Sequence, residues 1–434
     1  MTNQTLTTNK SQKEKFLNPF TQLGKNGKGM ELDIRAKAIE ALKDHEIPTR
    51  KWEAWKYTDL KTIANRDYQF SGESSLDQIT SFQIPDLEAD QLVFINGVYQ
   101  DQFSSLTYNQ NLVTISPISE LQGEDKSIFE THLGSLINGE EDIFSALNTA
   151  YAQEGVFIRV KRGKNAVKPI HIIHISQASE QPLATQFRNL FLIEENSSVE
   201  VIESQHSVGE GVSFSNSVTE ILVRKNAGVE YVKLQLESDQ ASQINSTVVY
   251  QEDDSRASVF TITMSGETVR NNLRMRLDGQ NIESHLMGIN LLSGSQHVDH
   301  HTEVHHLKPH CFSNELYKGI MSEMSTGVFN GKIHVYPDAQ KTNAFQSNRN
   351  ILLSDTANIY TKPQLEIYAD DVKCSHGATT GRLDEEAMFY LRARGIKEYD
   401  ARIMLIYAFA MEVVDNISIE PVRNFISSLI QNRF

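Results

Sequence analysis

Asn196-Ser-Ser-Val199-Glu-Val201, Asn226-Ala-Gly-Val229-Glu-Tyr231 and Arg256-Ala-Ser-Val259-Phe-Thr261 recur at one constant spacing, and this recurrence decides the fold class. Each copy leads from turn-forming residues into alternating side chains, the two-residue period of a strand with one buried face. Companion runs lie between and after the copies, Val218 to Val223, Thr247 to Tyr250 and Leu273 to Leu277, each ending near a turn. Two strands and two turns per repeat describe one coil of a flattened β-solenoid, which buries its apolar face by stacking on its neighbours. A β-sandwich would alternate too, but three successive copies in one register favour the solenoid.

The same alternation, broken by Asn, Gly, Ser and Asp, extends from about Gln91 to Val372. The chain thus divides into an N-terminal helical region (1–90), a mainly β solenoid core (91–383) and a C-terminal helical region (384–434). In the first region, Met30 to Lys43 places Leu32, Ile34, Ala38, Ile39 and Leu42 near one helical face. Trp52 and Trp55 follow, and are expected to pin this segment onto the body. The stretch GKNGKG, Gly24 to Gly29, lacks the spacing of a phosphate-binding loop and has no strand before it. At the other end, Asp384 caps a helix over Glu385 to Arg394 that Gly395 stops. Asp400 to Val414 is strongly apolar, and Pro421 opens a last helix with Val422, Phe425, Ile426, Leu429 and Ile430 on one face. These helices are expected to cover the open solenoid end, whose bare strand edge invites aggregation, or to present a docking face.

Lys+Arg of 41 against Asp+Glu of 56 gives a formal net charge of -15. That is the wrong sign for gripping a phosphate backbone, so nucleic acid is not expected as a partner. Two cysteines, Cys311 and Cys374, offer no disulfide framework and fit a reducing compartment. No apolar segment follows the N-terminal charges. The longest apolar run, Ile403 to Met411, falls far short of the about 20 residues that a membrane helix needs. The expectation is a cytoplasmic protein with no membrane contact.

Eight of the fourteen histidines fall between His297 and His376. On a strand over Val298 to His306, His297, Asp299, His301, Glu303 and His305 share one face and His300 and His306 the other. This is a ladder of metal-capable groups, or equally a polar structural or interface face. A second constellation, Asp370-Asp-Val-Lys-Cys374-Ser-His376-Gly, points Cys374 and His376 the same way, roughly 7 Å apart at about 3.3 Å per residue. Asp370 and Lys373 bring charges that can tune the thiol. An iron–sulfur cluster takes about four ligands, mostly thiolates. Two cysteines so far apart in the chain cannot supply them, so any cluster role must be shared with another polypeptide. No G-x-S-x-G, H-E-x-x-H, Cys-x-x-Cys or strand-borne G-x-G-x-x-G occurs.

Around these residues the chain resembles the SufB/SufD family of the SUF iron–sulfur cluster assembly system, and within it the SufD branch. The resemblance runs through KGI, VFNGKI, AQKTNAFQ, KPQLEI, ADDVKCSHGAT and FYLRARGI, with PTRKWEAWKYTDL near the N-terminus. It implies a right-handed parallel β-helix core that pairs with a SufB subunit. It also implies a C-terminal helical region, 384–434, that docks a SufC ATPase. On this reading the chain is a non-catalytic scaffold subunit that holds no stable cofactor by itself, and when isolated it can form a homodimer. The family pattern assigns His376, with Cys374 beside it, to a nascent Fe–S cluster shared at the SufB interface. Two other classes share the fold: a β-helix carbohydrate-active enzyme, for which Asp370-Asp371 is the one adjacent acidic pair near the motif, and an interaction scaffold without a metal role.

Overall fold

The computed structural model describes residues 12–22, 33–70 and 74–433; Met30, Leu32 and the GKNGKG stretch lie outside them. The core is the expected parallel β-solenoid, of about eight coils. Its strands alternate between a ten-stranded first sheet and a nine-stranded second sheet. Arg256–Thr263 lies in the first, Thr268–Leu277 in the second, and Glu283–Leu292 returns to the first. Antiparallel pairing appears at the N-terminal mouth, where Val98–Tyr99 pairs with Asp90–Ile95 and Val113–Pro117 with Val156–Val160.

The coil length is less regular than the three copies suggested. Arg256 pairs in register with Gly228, and not with Asn226, which the constant spacing would have chosen. Ser242 pairs with Thr268 across a short coil, and Thr326 with Asn358 across a long one. Turns absorb the difference, because the strands are what stacking holds in register. The true repeat marker is a corner residue in the left-handed region: Asn196, Asn226, Asp254, Asn281, His310 and Lys341 all have φ between 52° and 62°. Asn and Asp tolerate this conformation best. The corner amides bond one coil onward, Asn226 N–H to the Asp253 carbonyl (2.8 Å) and Asp254 N–H to that of Gln280 (2.8 Å).

Inward-facing side chains of both sheets form the main core, from Leu92 and Phe94 through Val201, Val229 and Val259 to Leu286, Val304 and Ile333. A buried polar seam runs beside them. Glu203 meets Lys233 at 3.7 Å and His174 at 3.5 Å, and accepts from the Tyr231 hydroxyl. Burial pushes the Glu203 carboxyl up, but Lys233 and His174 outweigh it and hold it down at about 2. The seam continues through Asn245, which donates to Asn271 (3.1 Å), to the His300–Asn290 hydrogen bond (2.6 Å).

Helices cover the outward faces. Helices α1 (12–22), α2 (Asp33–Asp44), α3 (Lys61–Ala64), α4 (Gly123–His132) and α5 (Ile143–Tyr151) lie on the side of the second sheet, where Phe16, Phe20 and Phe144 pack on Phe214 and Ile244. Both α4 and α5 fall inside the stretch read from sequence as strands. The C-terminal helices α6 (Glu385–Ala393), α7 (Glu398–Val414) and α8 (Glu420–Arg433) match the expected caps: Asp384 accepts from Glu386 and Ala387 N–H, and Gly395 has φ 88°.

The expectation that these helices cover the solenoid end is corrected. Ile406, Ala410, Val413, Val422 and Ile426 pack across the outward face of the first sheet, on Phe260, Ile262, Met287, Ile289 and Ile320. The flank offered a continuous apolar surface, and the helices bury theirs there. Helix α6 buries none of its side chains. At the C-terminal end, strands Asn358–Ile367 and Lys373–Gly381 are the outer edges of the two sheets, and no further strand pairs with them among the described residues.

Candidate functional site

The terminal coil carries the Cys-x-His pair. In register, Cys374 lies over Ala344 and Ser313, and His376 over Gln346 and Glu315. Because Ala344 and Gln346 are buried and Phe345 is exposed, the file through Cys374 and His376 faces the solenoid interior. At the last coil that interior opens outward. Cys374 is half-buried and packs against the main core, while His376 is exposed. Nothing stands within 4 Å of a Cβ placed on Gly377 or Gly381, so the strand can be approached closely.

Charges do not tune the Cys374 thiol downward. Burial raises it, opposed by a backbone hydrogen bond at Ala344, so a metal or a partner must help draw off its proton. The nearby acid Asp371 is engaged with Lys341. Cys311 is buried, pushed up to about 11, and its thiol donates to the Gly279 carbonyl at 3.1 Å. It is a structural cysteine. Among the described residues no three His, Cys, Asp or Glu side chains converge as a metal site.

The histidine ladder alternates as the spacing requires, with strand His297–His306 in the second sheet. Its outward file receives the N-terminal segment. Asp299 pairs with Arg270 at 2.8 Å and accepts from the Thr58 hydroxyl, which also meets His297 Nε2 at 2.9 Å. His301 sits 3.2 Å from the same carboxylate. Burial pushes the Asp299 carboxyl up, but Arg270 and His301 outweigh it and hold it well below the usual range. Trp55 is buried against this face, whereas Trp52 is 45% exposed, so one tryptophan pins the segment where two were expected. The 3-10 turn Glu53–Trp55 turns the other away. Farther along, the Tyr57 ring stacks on Tyr360 at 4.0 Å and Lys362 pairs with Glu53 at 2.6 Å, carrying the segment to the last coil.

Sequence reasoning missed Glu315 and Gln346, which lie beneath His376 and are both buried. The signal was an acid and an amide at inward positions of adjacent coils, visible once the register is known. It also missed Lys318, whose ammonium meets Glu412 and the Phe409 carbonyl (2.9 Å) of α7.

A long parallel β-solenoid with helices along its flanks, and a Cys/His pair on an open terminal coil, has the form of a scaffold. Comparison with known proteins identifies which. Residues 174–409 match the family described as the SUF system FeS cluster assembly SufBD core domain, and residues 20–172 the SufBD protein N-terminal region. The chain belongs to the SufBD family of the SUF iron–sulfur cluster assembly system. It is 34% identical to the iron–sulfur cluster assembly protein SufD of Escherichia coli over 89% of each chain. A SufBD family protein of Synechocystis sp. is 32% identical over 92% of this chain and 90% of its own. SufD of Bacillus subtilis is 25% identical over 99% of each. Among the described residues no helix is long and apolar enough to cross a membrane.

Proposed function

We propose that the chain is a SufD-type scaffold subunit, non-catalytic in itself, that pairs with a SufB-type chain and a SufC-type ATPase in the cytoplasm. His376, with Cys374 beside it, is offered to a nascent iron–sulfur cluster, the cargo of the complex, completed by ligands from the SufB-type partner. One observation carries this reading: a Cys/His pair on an exposed edge strand, too few donors to hold a cluster and open toward an incoming chain. Imidazole is a competent borderline iron ligand. The half-buried thiol beside it can join once a metal withdraws its proton.

The three regions then take separate roles. The solenoid core, 91–383, pairs with the SufB-type solenoid through the unpaired strand edges, which would otherwise invite aggregation. The C-terminal region, 384–434, docks the ATPase with the side of α7 turned away from the sheet. There Met404 is 48% exposed and Ala408 is exposed, while Tyr407 and Met411 at the margin pack partly against the cluster beneath. Of the N-terminal region, 1–90, the described helices and the turn carrying Trp55 clamp the second sheet, and Ile79 and Ile84 pack on the first.

The test is co-expression with SufB- and SufC-type partners, followed by iron and sulfide analysis. His376→Ala is expected to assemble the complex and to lose most reconstituted iron and sulfide. A His376→Ala complex with a normal visible spectrum, maturing an acceptor protein at the unmodified rate, would refute the ligand role.

A further inference from the structure

Gln346 holds a buried oxygen that has no partner among the described residues. Its Nε2 donates to Glu315 Oε2 at 2.6 Å, one coil toward the N-terminus. Its Oε1 is buried and bonded to nothing among the described residues, in a residue only 3% exposed. Strands Phe312–Met321, Asn343–Leu352 and Lys373–Gly381 place Glu315, Gln346 and His376 in one inward file, with neighbouring strands about 4.8 Å apart. Because Nε2 is committed to the coil below, Oε1 is left for the coil above, where the file's residue is His376.

The opposite sheet makes room for this amide. At Gly331 a Cβ would stand 2.4 Å from Gln346 Nε2 and 2.6 Å from Phe329 Cζ. Any larger residue there would displace the amide from the file. Ionised Glu315 offers only acceptors, so it holds the Nε2 side of the amide toward itself.

A carbonyl oxygen left unpaired in the interior is unfavourable, because it has lost water without gaining a donor. A metal-ligating imidazole has the complementary need, an acceptor for its second ring N–H, which fixes the tautomer and the ring orientation. We propose that Gln346 is a positioning residue for His376: Gln346 Oε1 accepts the second imidazole N–H, and Glu315 aims the amide by holding its Nε2. This rests on reading His376 as a ligand.

The test has two readouts. In the full-length chain with ¹⁵N-labelled histidine, NMR of the His376 ring, assigned by comparison with His376→Ala, reports its tautomer. The unmodified chain is expected to show one neutral tautomer, and Gln346→Met, which fills the same volume without an acceptor, a mixture of both. In the co-expressed complex, Fe(II) affinity is expected to fall about 10–100-fold in Gln346→Met. An unchanged tautomer ratio in Gln346→Met would overturn the positioning role, whatever the iron result. Retained Fe(II) binding in His376→Ala would instead overturn the ligand reading, and the tautomer result would still decide the role of Gln346.

Discussion

The Arg270 guanidinium lies 4.0 Å from the centre of the Trp55 ring, joining the N-terminal segment to the second sheet. The same side chain is ion-paired with Asp299 at 2.8 Å, and both residues are buried. Removing one member of such a pair strands the other charge. Arg270→Met is therefore expected to destabilise the chain by about 3–5 kcal/mol. Adding Asp299→Leu is expected to recover most of that loss. Urea unfolding followed by tryptophan fluorescence measures both, and a double variant as unstable as the single one would contradict the account.

Acid should weaken the fold from near neutrality downward. Burial lowers His171 and His306 to about 3 and His206 and His300 to about 4, against 6.5 unfolded. Midway between pH 6.5 and 4.5 the unfolded chain therefore binds about three and a half more protons at these sites. Burial raises Glu237 and Glu315 to about 7, against 4.5 unfolded, so there the folded chain binds about two more. The difference, between about one and two protons taken up on unfolding, makes stability fall as pH drops through this window. Below pH 4.5 the loss steepens, because Glu203 and Glu303 are held at about 2 in the fold. The urea midpoint measured from pH 7 to 4 checks this, and a midpoint that rises on acidification contradicts it.

His376 and Cys374 should separate stability from cluster handling. His376 is exposed on an edge strand, so His376→Ala is expected to change the unfolding free energy by no more than about 1 kcal/mol. Cys374→Ser is expected to lose less iron, since a shared site retains partial ligation, yet to disturb the fold more, because Cys374 packs against the core. Metal analysis and thermal melts of the two variants side by side decide whether the effects divide this way.

Deleting α6–α8 would not test ATPase docking cleanly. It would bare Phe260, Ile262, Met287 and Ile289, which α7 and α8 cover. Substitutions on the outer side of α7 avoid this. Met404→Glu is expected to abolish pull-down of a SufC-type ATPase while shifting stability by less than about 0.5 kcal/mol. Undiminished pull-down would reject that face as the dock.

Much of the solenoid was legible because its periodicities are local. The alternation around Val199, Val229 and Val259, the two faces of the histidine ladder, and the Asp384 and Gly395 helix boundaries each depend on a few neighbouring residues. Features built from distant residues were not legible. Thr58 and Asp299 meet from opposite parts of the chain, and nothing local marks either as the other's partner. Helix α5 is a local feature that went unread: Ile143, Phe144, Ala146, Leu147, Ala150 and Tyr151 form a helical stripe, and Asp142 and Ser145 a capping box before it. The Glu315–Gln346 contact needed the coil register, and coil lengths that change from one turn to the next hide it.

The uncovered C-terminal end has a dynamic consequence. In a solenoid, stability is close to a sum over neighbouring coils. An interior coil has two neighbours, but the coil bearing Cys374 and His376 has one, and its strand from Lys373 to Gly381 is exposed along most of its length. Amide hydrogen exchange should therefore be graded along the axis, fastest at the last coil and slowest around Val229 and Val259. The chain would unzip from the end proposed to meet a partner, so docking there would quench the exchange of that coil first. Its strand amides would report complex formation before any change of absorbance.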